Sequence, residues 1–307
     1  MKPISIVIPL YRCEKSIPEL VGRLKKTLSK ISNNFEIIMI NDFSPLSDWN
    51  IVETEAKMDK RIKGINFSRN FGQHYAITAG LEFASGDYIV VMDGDLQDQP
   101  EEILNLYNKI EEGYDIVFAK RRNRQDHFFK KLGSKFFYKI LSYLTNTEQN
   151  SEIANFGIYD RKVIDSIIQM NDSVKYFPTM VRWVGFKKSS IYVAHSERPE
   201  GNSSYNFKSL LNLAFNVILS FSNKPLRLTV KLGLIISSVS FLSVLFFLYK
   251  FFIGDIEVLG YTSLIISIWL LSGVIITFLG MVGLYIGKIF DQVKGRPNYI
   301  INNKLNF

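Results

Sequence analysis

The chain has 307 residues, a single cysteine and a formal net charge of +8. One cysteine, Cys13, excludes an internal disulfide and fits a reducing compartment. The length leaves room for one large domain or two smaller ones, and the positive balance suits nucleic acid, a membrane surface or a polyphosphate ligand.

The first stretch, ISIVIPL (4–10), reads as a buried strand; Pro9 and the absence of a small-residue cleavage site argue against a signal peptide. SIPELVGRLKKTLSKI follows as an amphipathic helix. FEIIMIND (35–42) is the next strand, with a helix near 48–58. IKGINFS (62–68) is a strand before the helix QHYAITAGLEFA, and YIVVMDG (88–94) is a strand before the helix PEEILNLYNKIEEG. YDIVFAK (114–120) is a fifth strand. Strand and helix alternating at this spacing predict an α/β domain, Rossmann-like, with a mostly parallel sheet.

Ligands of such sheets bind beyond the carboxyl ends of the strands. Those ends carry Pro9 and Tyr11, Asn41 and Asp42, Ser68, Arg69 and Asn70, Asp93 and Asp95, and Lys120 and Arg121. The predicted rim therefore mixes acids and bases. No G-x-G-x-x-G follows the first strand and no G-x-x-x-x-G-K-[ST] occurs, so the dinucleotide and P-loop readings lose their main support.

Further along, FFKKLGSKFFYKILSYL (128–144) sets Lys131, Lys135 and Lys139 on one helical stripe beside Leu132, Phe136, Ile140 and Leu144. Its apolar side either lies on a membrane or packs on the domain. NFKSLLNLAFNVILSFS (206–222) keeps Lys208, Asn212, Asn216 and Ser220 on one face and reads as a helix at the bilayer interface. Two uncharged runs follow, from Leu232 to Tyr249 and from Leu259 to Gly287, each long enough to cross a hydrocarbon core. Lys224, Arg227 and Lys231 precede the first; Lys288, Lys294 and Arg296 follow the second. The connection has only Lys250 against Asp255 and Glu257. The positive-inside rule then puts both termini in the cytoplasm, with the protein multi-pass in the cytoplasmic (inner) membrane. The expected organisation is a catalytic domain at 1–205, a juxtamembrane helix at 206–228, a two-helix hairpin at 229–290 and a cytoplasmic tail at 291–307.

VVMDGDLQDQP (90–100) gathers Asp93, Asp95 and Asp98 where a strand reaches the surface. D-x-D alone is a weak signal, equally at home in a solvated turn. Asp98, before Pro100 and the acidic pair Glu101 and Glu102, reads as a helix cap. Asp93 and Asp95 face a rim that also offers arginines. That setting suits a Mg2+ or Mn2+ ion carrying a phosphorylated ligand, because these ions take one or two carboxylates plus phosphate oxygens and water.

P-x-Y at 9–11, NDFS at 41–44, SRNFGQ at 68–73, ASGDYIVVMDGDLQDQPE at 84–101 and AKRR at 119–122 together resemble a family-2 glycosyltransferase of GT-A fold. The branch is that of the dolichyl- and polyprenyl-phosphate sugar synthases. RPEGNSSY (198–205), FSNKPLRL (221–228) and the two-span tail resemble its bacterial membrane-anchored members, so the likeness covers nearly the whole chain.

The resemblance implies roles. Pro9, Tyr11, Glu14, Asn41, Asp42, Arg69, Asp93 and Gly94 would bind a nucleotide-sugar donor, expected to be uridine-linked. Asp93, Asp95 and Gln97 would hold the metal. Asp93, Asp95, Arg121 and Arg198 would form the catalytic set, with Arg121 at the diphosphate. Ser203, Ser204 and Tyr205 would receive the acceptor phosphate. The chain departs from the pattern in four places. Asn41 stands in the acidic pair, and Arg12-Cys13 stands where Asn-Glu is usual. Ser203-Ser204-Tyr205 replaces Ser-Lys-Tyr, and Asn155-Phe156-Gly157 replaces Asp-Phe-Arg.

Inverting transfer to a sugar hydroxyl needs a general base, whereas a lipid phosphate is already an anion. With no carboxylate at 155, the implied activity is transfer of a sugar to polyprenyl phosphate, a glycosyltransferase of EC class 2.4 serving envelope glycan assembly. The partners are the donor, the lipid, the bilayer and a homo-oligomer, with no nucleic acid because the basic residues fall at membrane ends and the rim without a nucleic-acid-binding motif. Two alternatives stay open. One is transfer to a lipid-linked sugar hydroxyl, with Glu152 as spare carboxylate. The other is a non-catalytic nucleotide-sugar-binding membrane subunit.

Overall fold

The computed structural model describes residues 2–121, 153–172, 174–194, 218–219, 222–253 and 260–307. Within these, β1 (Ile4–Leu10), β2 (Phe35–Asn41), β3 (Ile62–Phe67) and β4 (Tyr88–Val91) run parallel, joined through α1 (Ile17–Leu28), α2 (Asp48–Met58) and α3 (Gln73–Phe83). β1 and β2 are buried at every residue, as expected of central strands with both faces covered. α1 buries Ile17, Leu20, Val21, Leu24 and Leu28, a stripe at helical spacing that seats it on the sheet.

The predicted strand and helix positions hold to within a few residues. The main difference is at β4, which ends at Val91, so Asp93, Gly94 and Asp95 lie on the turn that follows. That turn leads to a 3-10 segment (Pro100–Glu102) and α4 (Ile103–Ile110). The residue flanking this segment is Gln99, which makes no side-chain cap bond. Asp98, expected as the cap, is 2% exposed just before this segment.

The sheet has eight strands in the order β7-β5-β6-β4-β1-β2-β3-β8. β5 (Ile116–Arg121) does not join β4. β6 (Ile153–Asp160) inserts between them, antiparallel to both, and β7 (Lys188–Val193) pairs parallel to β5. β5 and β7 therefore point the same way as β4, and their carboxyl ends meet the same rim. α5 (Arg161–Ile168) and α6 (Phe177–Trp183) follow β6. Asp160 caps α5 by accepting from the Lys162 amide at 3.1 Å.

The chain divides into two compact units. One holds this sheet, and it includes residues 297–307: β8 (Ile301–Leu305) pairs antiparallel with β3. The segment expected as a tail is thus an edge strand. The other unit contains α7 (Lys224–Ile253) and α8 (Tyr261–Val293), both long and apolar enough to cross a membrane. A Cβ on Gly233 of α7 would sit 3.0 Å from the Phe278 ring of α8, so the helices touch there through a glycine. The Tyr285 hydroxyl donates to Ser222 O at 2.9 Å. The interfacial stretch at 128–144 lies outside the described residues, as does most of 206–222.

Candidate active site at the carboxyl rim

The D-G-D turn is built by close approach. A Cβ on Gly94 would meet Leu10 Cδ2 at 2.6 Å, so any larger residue here would force the turn or the Leu10 side chain to shift at the end of β1. Ser16 Oγ lies 2.6 Å from Gly94 O and 2.8 Å from Cys13 O, sharing one proton between the β4 turn and the β1–α1 loop. The Gln97 amide donates to Asp95 Oδ1 at 3.2 Å, closing an Asx turn. Leu96 between them is held at φ 61° with its side chain in the core. Asp93, Asp95 and Gln97 are all partly exposed on this one turn.

Asp93 is braced from α3: Gln73 Nε2 donates to its Oδ1 at 2.7 Å. The loop just before Gln73 is fixed from β2. Phe71 and Gly72 donate their amides to the two oxygens of Asp42, at 2.7 and 2.9 Å, and Asn70 Nδ2 donates to Asp42 O. Burial pushes the Asp42 carboxyl up to about 6, against the two amides that favour its charged form. Asn41 Nδ2 donates to Asn66 Oδ1 at 2.9 Å, and its own Oδ1 accepts from the Ser44 amide. Asn41 and Asp42 are 4% and 2% exposed, so both act as internal braces in this structure.

Arg12 and Phe43 adopt left-handed backbone, φ 59° and 53°, at the tips of β1 and β2, and the Arg12 amide donates to Ser44 Oγ at 3.1 Å. With Leu96, three strained non-glycine residues crowd the rim, where such strain is usually functional. Tyr11 and Phe43 are 38% and 56% exposed there. Pro9 is buried within β1, and Glu14 accepts from the Ser47 amide at the start of α2. The Arg69 guanidinium lies 4.4 Å from the Phe71 ring.

Arg121 is the last residue of β5, which sets its backbone at the rim; its side chain lies outside the described atoms. Arg198, Ser203, Ser204 and Tyr205 lie outside the described residues, as does Glu152.

Two residues near the rim are disqualified as reactive groups. Burial pushes the Cys13 thiol up to about 12, which keeps it protonated. Burial likewise pushes His74 down to about 4; its neutral ring packs edge-on to Tyr176 at 4.7 Å. Sequence reasoning missed Gln73 and Ser16. Gln73 stood inside the quoted SRNFGQ motif, but a neutral amide five residues after a strand end carries no sign of the carboxylate it will meet.

Of the departure at 155–157, the glycine has a packing reason, while nothing in the structure explains Asn155. Gly157 lies opposite Val91 and Phe118, and a Cβ there would fall 2.9 Å from both Val117 O and the Tyr159 hydroxyl. The fully buried Tyr159 ring fills that space, leaving none for a longer residue.

The Glycosyl transferase family 2 profile matches residues 5–168. The chain belongs to this family. It is 39% identical to YkcC of Bacillus subtilis (strain 168), an uncharacterised glycosyltransferase, over 97% of this chain and 92% of that one. It is 34% identical to the undecaprenyl-phosphate 4-deoxy-4-formamido-L-arabinose transferase of Proteus mirabilis (strain HI4320), over 97% of this chain and 92% of that one. Among solved structures, glucosyl-3-phosphoglycerate synthase from Mycobacterium tuberculosis, in complex with Mn2+, uridine diphosphate and phosphoglyceric acid, superposes with a TM-score of 0.51. It shares 15% identity, covering 71% of this chain and 77% of that one. At that identity the likeness speaks to the GT-A fold alone.

Proposed function

We propose that this protein transfers a sugar from a nucleotide-sugar donor, uridine-linked, to a polyprenyl phosphate at the cytoplasmic face of the membrane. The observation that carries the reading is the Asp93-Gly94-Asp95 turn, pinned to β1 by Gly94 and to α3 through Gln73. The near full-length likeness to a transferase named for undecaprenyl phosphate supports the acceptor.

The donor set fits a divalent cation. Two carboxylates and an amide share one exposed turn, and no group of three or more His, Cys, Asp or Glu side chains suited to a metal occurs among the described residues. Hard oxygen ligands in an incomplete shell suit Mg2+ or Mn2+, which fill the remainder with phosphate oxygens and water. Asp93, Asp95 and Gln97 would hold the ion, which when bound supplies charge to the departing diphosphate.

The chain's own residues do the rest. Tyr11 and Phe43 present exposed rings where a base and ribose would lie, with Pro9, Glu14, Asn41 and Asp42 shaping the floor. Arg69 and Arg121 approach the diphosphate from the ends of β3 and β5, and Arg198 with Ser203, Ser204 and Tyr205 receives the acceptor. A phosphate oxygen of the lipid attacks the anomeric carbon. The bond from that carbon to the nucleoside diphosphate breaks with inversion, and the electron pair leaves on the diphosphate. The nucleophile is already ionised, so no side chain must take a proton; cationic groups are needed to bring two anions together.

α7 and α8 anchor the protein, oriented by Lys224, Arg227 and Lys231 in the opening turns of α7 and by Lys288, Lys294 and Arg296 in the last turns of α8 and just beyond it. The test is mass spectrometry of lipid products after the purified full chain meets polyprenyl phosphate, a panel of nucleotide sugars and Mn2+ or Mg2+. A glycosyl-phosphate lipid is expected, and Asp95→Ala should abolish it while leaving the protein folded. Full activity in that variant would overturn the assignment.

A further inference from the structure

The segment after the membrane helices reaches the donor rim. β8 runs antiparallel to β3, so its start, preceded by Tyr299 and Ile300, lies at the carboxyl end of β3. Ile300 O accepts from the Ser68 amide at 3.0 Å, the first residue of the 68–73 loop. The Tyr299 ring stacks on Phe67 at 5.1 Å and 19°, and Phe67 in turn meets Phe71 edge-on at 5.5 Å. The Tyr299 hydroxyl donates to Glu82 Oε2 on α3, the helix that Gln73 begins. Tyr299 is thereby held between the end of β3, just before the loop, and the last turn of the helix that follows the loop. Within the loop, Phe71 and Gly72 bond Asp42, and Gln73 bonds Asp93.

Burial on β8 is confined to its two ends, where Ile301 and Leu305 are partly buried and Leu305 packs against the core beside Gly64. Asn302, Asn303 and Lys304 in the middle of β8 are exposed. The specific contacts sit at its ends: Tyr299 at the rim, and at the far end Asn306, which donates to Ala56 O and Ile62 O at 2.8 and 2.7 Å, with Phe307 against Phe83 at 5.1 Å. The far end anchors the strand; the near end contacts Phe67 at the close of β3, the Ser68 amide and Glu82 of α3.

We infer that Tyr299 is a positioning residue for the donor site, setting the 68–73 loop and, through Gln73, the Asp93 carboxylate. The inference rests on the reading of the rim as a nucleotide-sugar site. It places part of the donor site's support beyond residue 293, on the far side of α7 and α8 in the sequence.

The experiment uses the full chain in detergent as wild type, Tyr299→Phe and Tyr299→Ala. Amide hydrogen exchange is followed across the sheet, and steady-state transfer is measured with varied donor and varied polyprenyl phosphate. In Tyr299→Ala the amides of Phe71 and Gly72 should exchange about tenfold faster, while those of β4 and β6 keep their wild-type rates. The donor KM should rise by a similar factor with the acceptor KM unchanged. Tyr299→Phe, which keeps the stack and loses the Glu82 bond, should fall between. Unchanged exchange at 71–72, acceleration spread evenly over the sheet, or donor and acceptor KM moving together would each overturn the inference. A wild type that turns over no nucleotide sugar retires the functional reading alone, because the exchange comparison still decides whether Tyr299 sets the loop.

Discussion

Gly94→Ala tests how the D-G-D turn is held. The new methyl would stand 2.6 Å from Leu10 Cδ2, against an ordinary contact of 3.4–4 Å. Leu10 is fully buried at the end of β1 and lies within the main core cluster, so it has no open space to swing into. Relieving the overlap means either an off-rotamer Leu10 or a shift of the turn by about 1 Å, and overpacking of this kind costs about 1–3 kcal/mol. A 1 Å displacement of Asp93 and Asp95 would also lower transfer by about 100-fold. Thermal unfolding in detergent should show a drop of about 2–4 °C for each kcal/mol lost. Leu10→Ala alone leaves a cavity and costs about 2–5 kcal/mol. The double variant should be more stable than the sum of the two by about 1 kcal/mol or more, because the clash needs both side chains. Additive effects, or a Gly94→Ala variant with wild-type stability and rate, would refute the close-approach account.

Gln73→Ala removes the amide that orients Asp93 and should lower transfer about 10–100-fold, measured as donor kcat/KM, the usual cost of losing a group that orients a ligating carboxylate. Gly157→Ala drives a methyl toward Val117 O, a backbone atom that cannot rotate away, and should cost about 3 kcal/mol by denaturant titration. At the opposite end of the sheet, burial alone would raise the Glu36 carboxyl. Bonds from Lys63 Nζ at 2.6 Å, Ser5 Oγ at 2.5 Å and Ser85 reverse this and hold it below the ordinary range. Its contribution is therefore present above the unfolded value of about 4.3 and lost as pH falls through the lower folded value. Unfolding midpoints should drop on acidification below that point, and Glu36→Gln should flatten the slope.

The parallel half of the sheet was legible because its strands are apolar runs with turn chemistry at each end, and amphipathic helices between them follow from spacing alone. β6, β7 and β8 were not. β6 enters antiparallel after a long excursion, and β8 presents three exposed polar residues in its middle, with no alternation for a reader to find. At the site, the residue types pointed to the D-G-D turn, since surplus carboxylates at a strand end need a reason. The braces were hidden. Asp42 reads as a donor-site residue from its place at a strand tip, but nothing in the sequence shows that its oxygens also hold the amides of Phe71 and Gly72. Asp98 reads as a cap because Pro100 and two glutamates follow it, but its 2% exposure is not legible from residue type.

β8 also orders the protein's assembly in time. It pairs Gly64 with Leu305, and α7 and α8 lie between those two residues in the chain. A ribosome has therefore made both membrane helices before it makes the strand that covers β3. Until then the nascent sheet carries β3 as an open edge, the kind of surface that recruits wrong partners. Completion of the catalytic sheet follows synthesis of its membrane anchor, so a chain stalled in the hairpin carries every carboxylate of the D-G-D turn on a sheet not yet closed.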